Sequence, residues 1–77
     1  MSEVAFSSAW ERVKRAKLRE IDAHRRALAV HENTAVILEG LGLEERAATV
    51  RERAERTRAM LDLAIKEAEA YSINIAP

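Results

Sequence analysis

Apolar and small residues recur through the second half of the chain at alternating steps of four and three residues. This stripe runs from Leu43 to Tyr71, and its inner members are Ala47, Val50, Ala54, Thr57, Leu61, Ala64 and Ala68. Such spacing, sustained over four heptads, is typical of a helix that packs lengthwise against a partner helix. Four of the nine positions are alanine, which predicts a close approach between the two helices.

The first half of the chain has a matching stripe. It starts at Trp10 and ends at Leu38, and between them lie Val13, Lys17, Ile21, His24, Leu28, His31 and Ala35. The two stripes are separated by Gly40-Leu41-Gly42, a link so short that the helices must be antiparallel. Positions whose numbers add up to about 82 then face each other. Trp10 is therefore predicted to meet Tyr71, and Ile21 to meet Leu61.

These patterns predict an all-α fold, an antiparallel two-helix hairpin of the coiled-coil type that occupies residues 1–77 as a single domain. Ser8 and Glu11 have the S-x-x-E spacing of a capping box, which favours a helix start near residue 8. Gly40 is predicted to take the left-handed conformation after the helix, with Leu41 folding back onto it. The predicted bounds are about 8–39 for the first helix, 40–42 for the loop, about 43–71 for the second helix and 72–77 for an extended or disordered tail.

The first helix carries a second set of apolar residues on another face. Its members step by four and three residues from Ala23 to Leu41, with Val36 between the two faces. A helix that is apolar on two sides is usually buried on two sides. We therefore predict an interface formed by Ala23, Ala27, Val30, Val36, Ile37 and Leu41. A second copy of the chain would give a homodimeric four-helix bundle, and the alternative occupant is a different protein.

Charge argues against binding to nucleic acid or membrane by bulk electrostatics, because thirteen basic residues balance thirteen acidic ones. The first helix nevertheless has a local excess of basic residues. Four of them step along one outward face and could contact an anionic partner, namely Arg12, Arg15, Arg19 and Arg26. Three readings stay open for this face: phosphate contacts with RNA, an acidic protein partner, or solubility alone.

Few residues could support metal binding or catalysis. The chain has no cysteine, and its two histidines, His24 and His31, lie about 10 Å apart along one helix, too far to share a metal ion. They are interpreted as polar layers of the hairpin core, with a pH-sensitive layer or a metal site as alternatives. Ser7, Ser8, Thr34 and Thr49 lack the neighbours that activate a nucleophile. We expect no catalytic residue, cofactor or metal, and no enzyme activity.

The chain has no apolar run near the ~20 residues that a membrane span needs and no basic start typical of a secretory signal, so we expect a cytoplasmic protein. The predicted architecture resembles that of the small plasmid regulators of the Rop type, in which two hairpins pair into a four-helix bundle. This resemblance is one of architecture and transfers no residue. We predict a protein–protein interaction module acting as an adaptor, chaperone or inhibitor. The alternatives are an RNA-type nucleic-acid regulator and a structural subunit of a larger helical assembly.

Overall fold

A computed structural model of the protein describes residues 3–75, with side chains described from Ser7 onward. Two helices, α1 (Glu3–Gly40) and α2 (Glu44–Ala70), pack side by side along their length. Residues 3–75 contain no strand, which confirms the predicted all-α hairpin. The hairpin measures 61 × 19 × 16 Å, so it is one layer of two helices with an open face on each side.

The start of α1 differs from the predicted capping box. The helix is already formed at Glu3, so Ser8 lies inside it and caps nothing. The physical reason is that residues 3–7 contain neither glycine nor proline to stop the helix.

The core of the hairpin is narrow and rich in alanine. Eight hydrophobic residues are buried in the described part of the chain: Ile21, Ala35, Ala47, Ala54, Leu61, Ala64, Ala68 and Ile73. All of these except Ile73 belong to the two predicted stripes. Val13 departs from the pattern, since its side chain is half exposed whereas Lys14, seven residues before Ile21, is more buried. Close contact between helices follows from the small size of the alanines, and few bulky side chains are left to fill the interface.

Aromatic contact at the open end fixes the register of the two helices. The rings of Trp10 and Tyr71 meet edge to face, with centroids 6.4 Å apart and planes inclined by 66°. Ile21 and Leu61 lie in one buried cluster farther along the hairpin, and Trp10 packs against that cluster. The predicted pairing of Trp10 with Tyr71 is therefore confirmed, and the shared cluster agrees with the predicted pairing of Ile21 with Leu61.

At the closed end, the left-handed residue that follows α1 is Gly42 and not Gly40 as predicted. Gly40 is still helical, whereas Gly42 has a φ of 75°. The Gly42 N–H donates to the Glu39 carbonyl (3.0 Å) and the Leu43 N–H donates to the Leu38 carbonyl (2.9 Å), which is the Schellman pattern. Leu43 is thus the residue that follows the left-handed position, and the predicted fold-back residue, Leu41, is exposed.

The same motif ends α2, where the sequence gives no glycine. Ser72 has a φ of 57°, and the N–H of Ile73 donates to the Ala68 carbonyl (2.8 Å). The turn places Ile73 in the core, where it is 4% exposed, and Ile75 packs against the same cluster. The predicted extended or disordered tail 72–77 therefore differs from the structure at Ser72 and Ile73, while residues 76 and 77 lie outside the described residues.

Candidate protein-interaction surface

One long edge of the hairpin is marked by Lys17, whose ammonium joins the two helices. Its Nζ atom is 2.9 Å from Oε2 of Glu20 on α1 and 2.7 Å from Oε2 of Glu67 on α2. Hydrogen bonds to Glu67, and secondarily to Glu20, raise the pKa of Lys17 above its ordinary value. Nε2 of His24 lies 3.9 Å from Oε1 of Glu20. We call this side, which carries Glu20 and Glu67, the Lys17 edge.

The opposite edge is closed by two ion pairs between the helices. Arg58 pairs with Glu32 at 2.7 Å, and Arg51 pairs with Glu39. Val36 lies on this side, in a shallow groove that is also lined by Glu32, Arg51, Ala54, Glu55 and Arg58. We call this side the paired edge. Val36 is therefore separated from the other predicted interface residues, because it points to the far side of α1.

Towards the closed end, the Lys17 edge of α1 is apolar. Residues at heptad steps from Glu20 share its side of the helix, and these are Ala27, Thr34 and, directly after the end of α1, Leu41. Their outward neighbours on the same face are Ala23, Val30 and Ile37. Exposure is 62% for Val30, 55% for Ile37 and 68% for Leu41. We call these six residues the apolar row. It contains all of the predicted interface residues except Val36.

The same spacing continues from the apolar row towards the N-terminus. Steps of four and three lead back from Ala23 through Glu20 to Ala16, Val13 and Ala9, all of which are exposed. The sequence interpretation placed Val13 in the seam facing α2, but it belongs to this second face. α1 therefore carries two parallel seams, one covered by α2 and one uncovered within the described structure.

On α2, the Lys17 edge carries arginines beside the apolar row. Counting back from Glu67 in heptads reaches Met60, Arg53 and Arg46, and Arg56 is the outward neighbour of Arg53. Arg46, Arg53 and Arg56 are exposed, and none of them forms an ion pair with a residue in the range 7–75. We call these three the arginine row. Sequence reasoning missed it, although the heptad distance to Glu67 is a signal that could have found it.

The outward basic face of α1 is partly neutralised. Of its four predicted residues, Arg26 pairs with Asp22 at 2.8 Å, and both side chains are well exposed. Lys14, beside this face, pairs with Glu11 at 2.6 Å. Arg12, Arg15 and Arg19 are exposed and have no ion pair within residues 7–75. The face therefore keeps three cations without an ion pair in the described part of the chain.

The two histidines are half-buried along the covered seam of α1. Among the residues that the structure describes, no group of three or more His, Cys, Asp or Glu side chains converges as metal ligands do. Neither helix, as far as it is described, is long and apolar enough to cross a membrane. Comparison with protein-family models, with curated proteins and with solved structures found no significant match.

Proposed function

We propose that this chain is a non-enzymatic protein–protein interaction module that acts as an adaptor, chaperone or inhibitor in the cytoplasm. Its contact surface is the apolar row on α1, and the observation that supports it most is the exposure of Val30, Ile37 and Leu41 along one line. A helix of another protein laid along this line would bury all three side chains at once.

The size of the uncovered surface supports this proposal. The core of the hairpin contains three large buried side chains in the described part, namely Ile21, Leu61 and Ile73, and its other members are alanines. The apolar row exposes three more of similar size. Burial of one such side chain contributes roughly 1.5–3 kcal/mol, which is a large share of the 5–15 kcal/mol that is usual for a small domain. Occupation of the row would therefore add substantially to the stability of the module.

A second copy of the chain is the second candidate occupant. Two hairpins that pair through α1 would form a homodimeric four-helix bundle. The continuation of the second seam to Ala9 favours this candidate, because it gives a contact line along most of α1. Ala9, Ala16 and Ala23 lie in one half of the line, with Val13 and Glu20 between them, and Val30, Ile37 and Leu41 lie in the other half. Antiparallel pairing would bring these two halves together.

Matched variants on the two sides of α1 test the proposal. Val30→Glu combined with Ile37→Glu places charge on the apolar row, whereas Val36→Glu places charge on the paired edge at a position that is equally exposed. The tagged parent chain is expected to retain a specific protein from its host, the double variant to lose it, and Val36→Glu to keep it. Loss of the same protein in both variants, or retention in both, would contradict the assignment.

Sedimentation of the purified chain separates the two occupants. A mass near twice 8.7 kDa that falls to one chain in the double variant indicates the homodimer. A parent chain that sediments as a monomer, with helicity unchanged in the double variant, indicates a different protein as the occupant. An RNA-binding role predicts instead a complex that weakens steeply with salt and depends on Arg12, Arg15 and Arg19.

A further inference from the structure

We infer that the apolar row binds an amphipathic helix whose acidic residues lie along one flank, and that the arginine row recognises those acidic residues. This inference rests on the proposed function and specifies the chemistry of the partner. It follows from the position of the two rows, from the charges that are left unmatched, and from what the other occupants would leave uncovered.

The two rows are neighbours on the same edge. Lys17 contacts Glu20 and Glu67, so these two carboxylates lie on one side of the hairpin. The apolar row follows Glu20 in heptad steps and the arginine row precedes Glu67 in heptad steps, so both rows continue along that side. A helix placed on the apolar row would therefore have the arginine row along one of its flanks.

The register brings the rows level with each other. Facing positions add up to 81 for Trp10 and Tyr71, and the two residues joined on this edge, Lys17 and Glu67, add up to 84. By the same count, and with sums of 83, three pairs lie at matching heights: Ile37 with Arg46, Val30 with Arg53, and Ala27 with Arg56. A bound helix would thus find an apolar position and a cation side by side at three heights along the hairpin.

The charges of the arginine row are not matched within the described chain. Arg51 and Arg58 on the other edge of α2 each have a glutamate of α1 as partner. No carboxylate of residues 7–75 forms an ion pair with Arg46, Arg53 or Arg56. A partner that covered the apolar row would partly desolvate these guanidinium groups, and carboxylates on its flank would offset that cost.

A second copy of the chain would neutralise the charges of the arginine row less well than an acidic helix would. From Ser7 to Gly40, every acidic residue of α1 is already in an ion pair, so the α1 of a second copy offers no free carboxylate. An antiparallel symmetric pair through α1 would also bring the arginine rows of both copies towards each other, and like charges repel. Nucleic acid would match the arginines but would leave Val30, Ile37 and Leu41 uncovered.

Two synthetic peptides provide the test. Both have about 28 residues, enough for four heptads, with leucine and isoleucine along one seam. One peptide has glutamate at the flanking positions and the other has lysine. Like charges on its flanks keep each peptide from pairing with itself. Fluorescence anisotropy of the labelled peptides, titrated with the full chain, is expected to show at least tenfold tighter binding of the glutamate peptide at low salt. That preference should shrink at high salt.

Reversing the charge of the arginines then shows which residues cause the preference for the glutamate peptide. Arg53→Glu with Arg56→Glu is expected to favour the lysine peptide, whereas the matched control, Arg12→Glu with Arg19→Glu on the outward face of α1, is expected to keep the parent preference. Circular dichroism checks that both variants remain helical. Equal affinity for the two peptides, or an unchanged preference in the reversed variant, would overturn the inference.

Failure of the inference can be distinguished from failure of the proposed function. One outcome is that the peptides require Val30 and Ile37 for binding but bind with equal affinity for both flank charges. That result would support the apolar row as the contact surface and would contradict only the inference that the partner is acidic. Binding that survives Val30→Glu with Ile37→Glu overturns both. A parent chain that sediments as a dimer through the apolar row identifies the second copy as occupant and overturns the acidic partner as well.

Discussion

Gly42 and Ser72 occupy the same position in successive helix ends. Each is the left-handed residue of a Schellman turn, with φ of 75° at Gly42 and 57° at Ser72. In each turn the next residue, Leu43 or Ile73, donates its N–H to the carbonyl five residues earlier. The two turns differ in backbone strain, because an L-residue in this conformation is strained by about 1–2 kcal/mol and glycine is not.

Exchanging residues at these two positions should change stability in opposite directions. Ser72→Gly is expected to raise the free energy of unfolding by about 1 kcal/mol, and Gly42→Ala to lower it by a similar amount. A Cβ atom at Gly42 would meet no other atom within 4 Å, so the loss there comes from backbone conformation alone. Urea denaturation of the two variants measures both changes, and an unchanged midpoint for Ser72→Gly would contradict a left-handed Ser72.

Removal of the Ile73 side chain should destabilise the hairpin, although Ile73 lies beyond the end of α2. Ile73→Ala is expected to lower the free energy of unfolding by about 2–5 kcal/mol, as for other large core residues, because Ile73 is buried in the cluster that also contains Ala68 and Leu61. Ile75→Ala is the control, since Ile75 is only partly buried and should cost less. If thermal melting shows that Ile73→Ala and Ile75→Ala lose equally little stability, burial of Ile73 in the core is contradicted.

The ion pairs of Lys17 should make stability depend on alkaline pH. The pKa of Lys17 is raised in the folded chain from its ordinary value of 10.5, so the ammonium stabilises the fold at neutral and mildly alkaline pH, where its glutamate partners are carboxylates. This contribution is lost as the pH rises through the higher folded pKa, because the unfolded chain releases its proton first.

The difference between parent and variant isolates this effect from other alkaline titrations. Lys17→Met is expected to have a lower free energy of unfolding than the parent at neutral pH, and this difference in free energy should shrink as the pH rises above 10.5. Lys14→Met is the control, because Lys14 pairs with Glu11 inside α1 and does not join the helices. A gap for Lys17→Met that stays constant from neutral to strongly alkaline pH would contradict the proposed role of the charge.

Much of the fold could be predicted because heptad spacing determines which side of each helix is covered. The seams through Ile21 and Leu61 and the pairing of Trp10 with Tyr71 follow from that spacing and a short link. The exact helix ends could not be predicted. In Gly40-Leu41-Gly42, either glycine can take a positive φ, and nothing in the local sequence makes Ser72 a left-handed residue.

The candidate surface was only partly predictable for a related reason. The apolar row could be identified from α1 alone, but the predicted interface also includes Val36, which the sequence pattern places between the two faces of α1. The groove that holds Val36 shows that one step along a helix, about 100°, moves a residue to the other edge. The arginines could be grouped from their heptad distance to Glu67, but their position beside the apolar row depends on the edge on which Lys17 joins Glu20 to Glu67.

Site-specific photo-crosslinking in the host tests the contact surface most directly. A photoreactive amino acid is placed at Ile37 in one chain and at Val36 in another, two exposed neighbours on opposite edges of α1. The chain labelled at Ile37 is predicted to form a discrete adduct with one protein, and the chain labelled at Val36 is predicted to form none. Equal adducts from both positions, or an adduct from Val36 alone, would contradict an interaction surface along the apolar row.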